Sequence, residues 1–199
     1  MNPFAIRQYQ PSDLVALYGV CLGTGADGGD ARGKIDGELL GDVYLGPYCE
    51  LQPESAFVLT RDEVPVGYIV GAVDTRQFLQ RCEAGWWPAL RKRYRASSAP
   101  DSWTQRVINE IHRVDEPPHF VAEYPAHLHI NILPVAQGVG QGRALMDYFV
   151  DYLRGLSVPG VHLGVSRRNA RAIAFYRRYG FIEIEGSEAG LHMGLGLSN

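Results

Sequence analysis

The stretch from Leu128 to Phe181 constrains the fold most strongly, because its pattern alternates between strand and helix around one glycine-rich turn. The turn reads Gln137-Gly138-Val139-Gly140-Gln141-Gly142-Arg143, and Gly180 later acts as a left-handed helix stop. The pattern predicts strands at His127 to Leu133 and Val161 to Val165, and helices at Gly142 to about Leu156 and Ala170 to Tyr179. This order predicts a βαβ unit.

The remaining segments add strands and helices on both sides of this unit. We predict strands at Phe4 to Tyr9, Phe181 to Glu185 and His192 to Leu197, and a hairpin from Ser55 to Thr60 and Val64 to Asp74. We predict helices from Pro11 to about Leu22, capped by Ser12 or Asp13, from Thr75 to about Ala96, and from a Pro100-Asp101-Ser102 cap to about Val114. Five glycines between Gly23 and Gly33 predict a mobile loop. Together these segments predict an α/β fold with a mixed central sheet and helices on both faces.

Length and composition narrow the class of protein. The 199 residues predict one domain spanning 1–199, with a helical insertion at about 75–118. A net charge of -3 gives no general attraction to nucleic acid or anionic membrane, and no apolar run is long enough to span a bilayer. Cys21, Cys49 and Cys82 lack metal-type spacing and predict reduced thiols in the core. We therefore expect a cytoplasmic protein, monomeric or homodimeric.

The glycine-rich turn between strand and helix is a candidate phosphate site. Glycines let a ligand approach the free amides at a helix start, where the helix dipole favours an anion. A tight turn without ligand is the alternative. A nucleotide-triphosphate loop would need Lys and Ser or Thr where Arg143-Ala144 stand, and a dinucleotide fingerprint would need glycine at Arg143.

Two motifs in this region carry a family resemblance. Gln137-x-x-Gly140-x-Gly142 after a strand resembles motif A of the Gcn5-related N-acetyltransferase (GNAT) superfamily, and the segment from Asn169 through Phe175-Tyr176 to Gly180-Phe181 resembles its second cofactor segment. A looser resemblance is to the acetyltransferase-like domain of O-GlcNAcases and its free-standing bacterial relatives. It rests on Tyr44-Leu45-Gly46-Pro47-Tyr48, Asp74-Thr75-Arg76, Trp86-Trp87-Pro88 and Ala126-His127-Leu128-His129-Ile130.

The resemblance implies a GNAT fold with acetyl-CoA as cosubstrate. The family's two central strands splay at a bulge, where pantetheine would pair with the backbone of Asn131, Ile132 and Leu133. The pyrophosphate would lie on the amides of Gln137, Gly138, Val139, Gly140, Gln141, Gly142 and Arg143. Asn169 and Phe175 would contact the cofactor arm, and Tyr176 would donate its hydroxyl to the leaving sulfur.

The general base and the acceptor are less defined. Asp74, at the end of a central strand, is our first candidate for a base beside the cleft; His127 and His129 share one face of the next strand, and Glu123 is weaker. Related chains often carry Asp where this one has Asn131, and an amide takes no proton at neutral pH. A water relay is the alternative. The histidine pair lacks a third ligand, so no metal site is expected.

Aromatic and basic residues of the insertion are candidates for the acceptor wall. They are Trp86, Trp87, Tyr94 and the run Arg91-Lys92-Arg93-Tyr94-Arg95, all of which also suit an ordinary helical layer. We expect acetyl transfer from acetyl-CoA to an unidentified amine by direct attack in a ternary complex, with Tyr176, Asp74, His129 and Asn131 as catalytic candidates. The alternatives are an acyl-CoA-binding sensor or interaction module without turnover and, less favoured, a nucleotide-binding protein.

Overall fold

A computed structural model of the chain describes residues 3–96, 102–114 and 116–197. In these ranges seven strands form one sheet in the order β1-β2-β3-β4-β5-β7-β6. The strands are β1 (Phe4–Gln8), β2 (Ala56–Arg61), β3 (Val64–Ala72), β4 (Ala126–Ile132), β5 (Gly160–Ser166), β6 (Ile182–Gly186) and β7 (Gly190–Gly196). β4 and β5 are parallel, and the other neighbours are antiparallel. The predicted mixed sheet is confirmed.

Eight α-helices accompany the sheet in the described ranges. They are α1 (Leu14–Thr24), α2 (Gly37–Tyr44), α3 (Gly46–Leu51), α4 (Thr75–Arg81), α5 (Trp87–Arg93), α6 (Trp103–His112), α7 (Gln141–Gly155) and α8 (Ala170–Tyr179). Four begin at polar caps whose side chains accept a hydrogen bond from a first-turn amide, namely Asp36, Asp74, Ser102 and Asn169. Pro100 and Asp101, predicted beside Ser102, lie outside the described residues.

Helices cover both faces of the sheet, as predicted. On one face, Tyr68 and Val70 of β3 share a core with residues of α1 to α6, such as Leu17 and Leu39. On the other face, Ile69 of β3 and neighbouring strand residues pack with α7 and α8. Successive strand residues point to opposite faces, which explains why β3 is apolar almost throughout. Cys21, Cys49 and Cys82 are buried thiols, in keeping with their predicted place in the core.

Two local predictions are wrong. The helix predicted from Thr75 to Ala96 is interrupted by a π-helical turn, Cys82–Trp86, and ends at Arg93. Pro88 explains the interruption, because it has no amide hydrogen and its ring would clash with the carbonyl four residues earlier. Asp13 does not cap α1 through its side chain; its carboxylate instead binds the guanidinium of Arg7, with both oxygens at 2.7 Å.

The glycine-rich segment after α1 is more regular than predicted. Its first two residues belong to α1, which continues to Thr24. Ala26 and Gly29 then pair with each other, through two backbone hydrogen bonds of 2.9 and 2.8 Å. Between them Asp27 (φ 52°) and Gly28 (φ 88°) are both left-handed, as a type I′ turn requires. The segment therefore presents a defined two-residue turn, Asp27-Gly28, rather than a featureless loop.

Candidate active site

The two parallel strands part soon after they meet. β4 and β5 pair only through Ala126 with Val161 and His127 with His162, although each strand has seven residues. The predicted splay is therefore present. The bulge expected with it is not, because β4 keeps one continuous register with β3 from His127 to Ile132. The opening follows from the divergence of β5, which continues alongside β7.

The gap exposes backbone groups of β4. Leu133 donates its amide to the carbonyl of Val66 on the β3 side, at 2.8 Å. Backbone groups of an antiparallel strand alternate in direction, so those of Asn131 also face β3 and those of Ile130 and Ile132 face the gap. The Ile132 carbonyl accepts a hydrogen bond from Gln137 Nε2 at 2.5 Å. The backbone N–H and C=O groups of Ile130 therefore point into the gap between β4 and β5.

A cavity of about 520 Å³ occupies this gap. It contains most of the predicted cofactor residues and adds several from α1, the Asp27-Gly28 turn and α8. Predicted residues in its wall are Asn131, Ile132, Gln137, Gly138, Gly140, Gly142, Arg143, Asn169, Phe175 and Tyr176; unpredicted ones are Thr24, Asp27, Gly28, Ile130, Arg171, Ala172, Arg178 and Tyr179. Leu133, Val139 and Gln141 are not in the wall: Leu133 packs into the two cores, and Val139 is 59% exposed.

The glycine turn has the conformation that only glycine adopts easily. Gly138 (φ 77°) and Gly140 (φ 87°) are both left-handed, and Gly140 directly precedes α7. The first amides of a helix have no carbonyl partner within it, and here they meet the cavity wall at Gly140 and Gly142. This end of the cavity can therefore hold an anion through backbone amides and the dipole of a 15-residue helix.

Arginines strengthen the positive charge at the same end. Arg171 donates to Gln137 Oε1 at 2.6 Å, and the Arg143 guanidinium lies 5.5 Å from the centre of the Tyr179 ring. Arg178 is the third arginine in the wall. Arg171, Phe175 and Arg178 recur at spacings of four and three, so they share one face of α8. That helical spacing is the sequence signal that would have identified the two unpredicted arginines.

Tyr176 brings a protonated hydroxyl into the cavity. Its ring packs against Phe175 and Phe181, and burial raises its pKa above the ordinary value. The hydroxyl therefore stays a donor at neutral pH. Asn169, at the start of the same helix, has two roles. Its Oδ1 caps α8 by accepting a hydrogen bond from the Ala172 amide at 3.1 Å, and the residue also lines the cavity wall.

Asn131 is held by a neighbour from α1. Its Nδ2 donates to Thr24 Oγ1 at 2.6 Å, and the Thr24 hydroxyl donates in turn to the Val20 carbonyl at 2.8 Å. These bonds fix the direction of the Asn131 amide, whose Oδ1 is left to accept. Thr24 lies 107 residues from Asn131 in sequence, and no sequence pattern linked the two.

The histidines of β4 are not in the cavity wall: His127 is buried, and His129 is partly buried. His127 Nε2 is 2.8 Å from the Tyr48 hydroxyl, and its Nδ1 is 2.8 Å from Thr75 Oγ1. Because the Thr75 hydroxyl donates to the Pro125 carbonyl, we assign the proton to Nδ1 of a neutral His127. Burial, and then His162, lowers the pKa of His129 to about 4 and holds the pKa of His127 well below its ordinary value.

This burial predicts acid sensitivity. In the folded protein His129 stays neutral down to about pH 4, whereas in the unfolded chain it binds a proton below about pH 6.5. Because the unfolded state binds more protons between these values, the free energy of unfolding falls as the pH drops from 7 towards 4. At pH 5 the expected loss from His129 is about 2 kcal/mol. Urea unfolding at pH 7 and pH 5 measures it; His129→Gln should show a correspondingly smaller difference between the two pH values. An unchanged difference in the variant would contradict the assignment.

Asp74 is not brought to the cavity. Asn131 pairs with Tyr68 in the β3/β4 ladder, and Asp74 comes six residues later, roughly 20 Å along an extended chain. Its carboxylate caps α4 and binds the Gln77 amide at 3.0 Å and side chain at 3.1 Å. Asp74 thus has a local structural role, and the structure does not place it beside the cleft. Glu123 is likewise absent from the wall.

The insertion residues proposed for an acceptor wall lie elsewhere too. Trp86 donates its indole N–H to the Asp42 carbonyl at 2.9 Å, and the Tyr94 hydroxyl donates to the Asp42 carboxylate at 3.1 Å. Trp87 packs against the same core, and Arg91 forms an ion pair with Glu83 at 2.7 Å. The contacts of Trp86 and Tyr94 with Asp42 join α2 to the insertion. None of the four residues is in the cavity wall.

The comparisons with known proteins agree with this geometry. The sequence matches the Acetyltransferase (GNAT) family over residues 31–181, and the chain belongs to this family. It is similar to the protein O-GlcNAcase of Rattus norvegicus, 24% identical over 185 residues that cover 91% of this chain and 20% of that protein. The chain thus spans about a fifth of the length of this curated relative.

Solved structures show the same fold. The crystal structure of SsHAT superimposes with a TM-score of 0.92 at 36% identity, over 98% of this chain and 99% of that one. The structure of yncA from Salmonella typhimurium, described with its cofactor acetyl-CoA, gives 0.59 at 16% identity over 99% and 95%. The predicted fold and both resemblances are confirmed. Within the described ranges no helix is long and apolar enough to cross a membrane, and no three potential metal ligands cluster.

Proposed function

We propose that this chain transfers an acetyl group from acetyl-CoA to an amine by direct attack in a ternary complex. One observation carries the proposal. The gap between β4 and β5 joins, in a single cavity, a glycine turn suited to phosphates, open strand backbone and the hydroxyl of Tyr176. Membership of an acetyltransferase family and the acetyl-CoA named with the yncA structure support it.

The binding roles follow from the chemistry of each part of the wall. The amides around Gly140 and the guanidinium groups of Arg143 and Arg171 suit the pyrophosphate of the cosubstrate. The backbone of Ile130, directed into the gap, suits the amides of the pantetheine arm, as a neighbouring strand would. Asn169 lines the opposite side and can hydrogen-bond the same arm. The thioester then lies deeper, beside Tyr176.

The chemical step needs one bond made and one broken. The amine nitrogen uses its lone pair to form a bond to the thioester carbonyl carbon, and the C–S bond breaks with its electron pair passing to sulfur. Tyr176 donates its hydroxyl to the departing sulfur. A thiolate with a pKa near ~8.5 is already a fair leaving group, so this donor accelerates the step without being indispensable.

The excess proton of the amine leaves through water in this proposal. Asp74 lies away from the cavity, and His129 is outside the wall with its pKa lowered to about 4, which makes it a weak base. Asn131 accepts no proton, but its Oδ1 can orient the amine or the water that removes the proton. The catalytic residue of the chain is then Tyr176, with Asn131 as a positioning residue.

A calorimetric titration followed by a turnover assay tests the proposal. The protein should bind acetyl-CoA, and a primary amine such as n-butylamine should accelerate release of the CoA thiol. Binding without any amine-dependent release would favour the second candidate, an acyl-CoA-binding module. One observation favours this second candidate: apart from Asp27, the described residues of the wall include no carboxylate, histidine or lysine that could act as a general base. No binding of acetyl-CoA would overturn both.

A further inference from the structure

The charged residues of the cavity wall differ in sign between the elements that carry them. The three wall arginines, Arg143, Arg171 and Arg178, belong to α7 and α8. Thr24 of α1 and the Asp27-Gly28 turn form another part of the wall, and among the described residues of the wall Asp27 is the one carboxylate. An anionic group therefore suits the arginines and the glycine turn, and a cationic group suits Asp27.

The side chains next to the Asp27-Gly28 turn offer mainly acceptors. Gly28 donates its amide to the Thr24 carbonyl, the Thr24 hydroxyl donates to the Val20 carbonyl, and Asn131 Nδ2 uses one of its two N–H groups on Thr24. The oxygens of Asn131 and Asp27 are left to accept hydrogen bonds. A site of oxygen acceptors fits a ligand rich in N–H groups and disfavours a carboxylate. Neutral Asn131 suits the reacting amine, which must be unprotonated to attack, whereas charged Asp27 suits a nitrogen that stays protonated.

The position of Asp27 is fixed by the backbone. Its left-handed conformation (φ 52°) belongs to the tight turn closed by Ala26 and Gly29, and Gly28 lies so close to Asn169 that an added Cβ would come within 3.2 Å of the Asn169 amide nitrogen. The turn therefore spans from α1 to the start of α8. Asp27 Oδ2 lies 2.9 Å from Arg168 Nε, and Arg168 is outside the wall with its side chain 80% exposed.

We infer that Asp27 selects the acceptor by binding a second positive charge on it, remote from the nitrogen that attacks. This inference rests on the proposed function and narrows its substrate class to diamines and comparably dicationic amines. Arg168, which neutralises the same carboxylate from outside, weakens this attraction. Asp27 and Arg168 should therefore act on acceptor affinity with opposite signs.

The test compares n-butylamine with diamines from 1,3-diaminopropane to cadaverine, and with a dilysine peptide, as acceptors. Acetyl-CoA binding is measured first on every variant. Asp27→Asn should raise the KM for the preferred dication by about tenfold or more, the loss typical of a hydrogen-bonded charge, and leave n-butylamine nearly unchanged. Asparagine tolerates the left-handed turn, so the variant keeps its fold. Arg168→Gln should lower the same KM.

Asp30→Asn is the matched control. Asp30 lies on the same segment and also pairs with an arginine, Arg32 at 2.8 Å, but it is not in the cavity wall. Its substitution should leave the ratio of kcat/KM for diamine over n-butylamine unchanged. The diamine and dilysine arms distinguish a small acceptor from a peptide.

Three results would overturn the inference. Equal effects of Asp27→Asn and Arg168→Gln, in the same direction, would show that the ion pair only holds the turn in place. If Asp27→Asn keeps the preference for diamines, another residue must bind the second positive charge of the acceptor. If the protein turns over acetyl-CoA but no dication has a higher kcat/KM than n-butylamine, the site does not recognise a second positive charge. Failure to bind acetyl-CoA would instead count against the proposed function.

Discussion

Gly140→Asp should abolish acetyl-CoA binding while leaving the fold intact. The new carboxylate would stand at the start of α7, where the proposed pyrophosphate lies. Two like charges about 4 Å apart near a protein surface repel by roughly 4 kcal/mol, so a loss of at least about 100-fold in affinity is expected. An added Cβ at Gly140 meets nothing within 4 Å, so the substitution causes no clash. Calorimetric titration with acetyl-CoA measures the effect.

Gly33→Asp is the control for this variant. Gly33 is also left-handed (φ 73°) and also open to an added Cβ, but it lies outside the cavity wall. It introduces the same charge and the same backbone strain without the phosphate site nearby. Equal affinities for wild type and Gly140→Asp would show that the glycine turn does not hold the pyrophosphate. Equal losses in both variants would trace the effect to strain or net charge.

Tyr176→Phe should lower kcat by about 10- to 100-fold, at or below the lower end of the range for a general acid, because the thiolate leaves moderately well unaided. The affinity for acetyl-CoA should change little, since the ring remains and only the hydroxyl is lost. Single-turnover rates with saturating acetyl-CoA and amine measure the chemical step directly. The loss should shrink for thioesters with more acidic thiols, which need less help to leave.

Tyr179→Phe provides the comparison on the same helix. The Tyr179 ring also lines the cavity, but its hydroxyl donates to Asp147 Oδ1 at 2.7 Å. Its removal should leave kcat near the wild-type value. If the Tyr176 and Tyr179 variants behave alike, or if Tyr176→Phe alters only affinity, Tyr176 has no role as a donor to sulfur.

The glycine turn and the α8 face could be predicted because their signals are local. Gly138, Gly140 and Gly142 sit within five residues, and Asn169, Phe175 and Tyr176 belong to one helix and its cap. Each set forms one short motif, and those motifs carry the family resemblance that implied the site. The splay of β4 from β5 followed from the family resemblance, whereas its lack of a bulge did not. A strand register depends on neighbours that the sequence of one strand does not specify.

The other wall of the cavity depends on distant contacts. Thr24 meets Asn131 across 107 residues, and Asp27 meets Arg168 across 141. The Asp27-Gly28 dipeptide favours a type I′ turn, but nothing in the glycine-rich segment indicates which distant residues that turn will contact. The prediction for Asp74 fails for a related reason: the end of β3 lies beside the start of β4, whereas the cavity opens at the opposite end of that strand pair. Strand order does not reveal at which end a gap opens.

The parting of β4 and β5 gives this sheet two inner edges in addition to its outer edges at β1 and β6. Unpaired edges ordinarily invite another protein to add a strand. Here the two inner edges face a cavity of about 520 Å³, which is lined by the Asp27-Gly28 turn and by α8. Under the proposed function, a slender chain with amide groups, the pantetheine arm, takes the place of an added strand. On that proposal the gap selects a ligand by its width before any side chain contacts it.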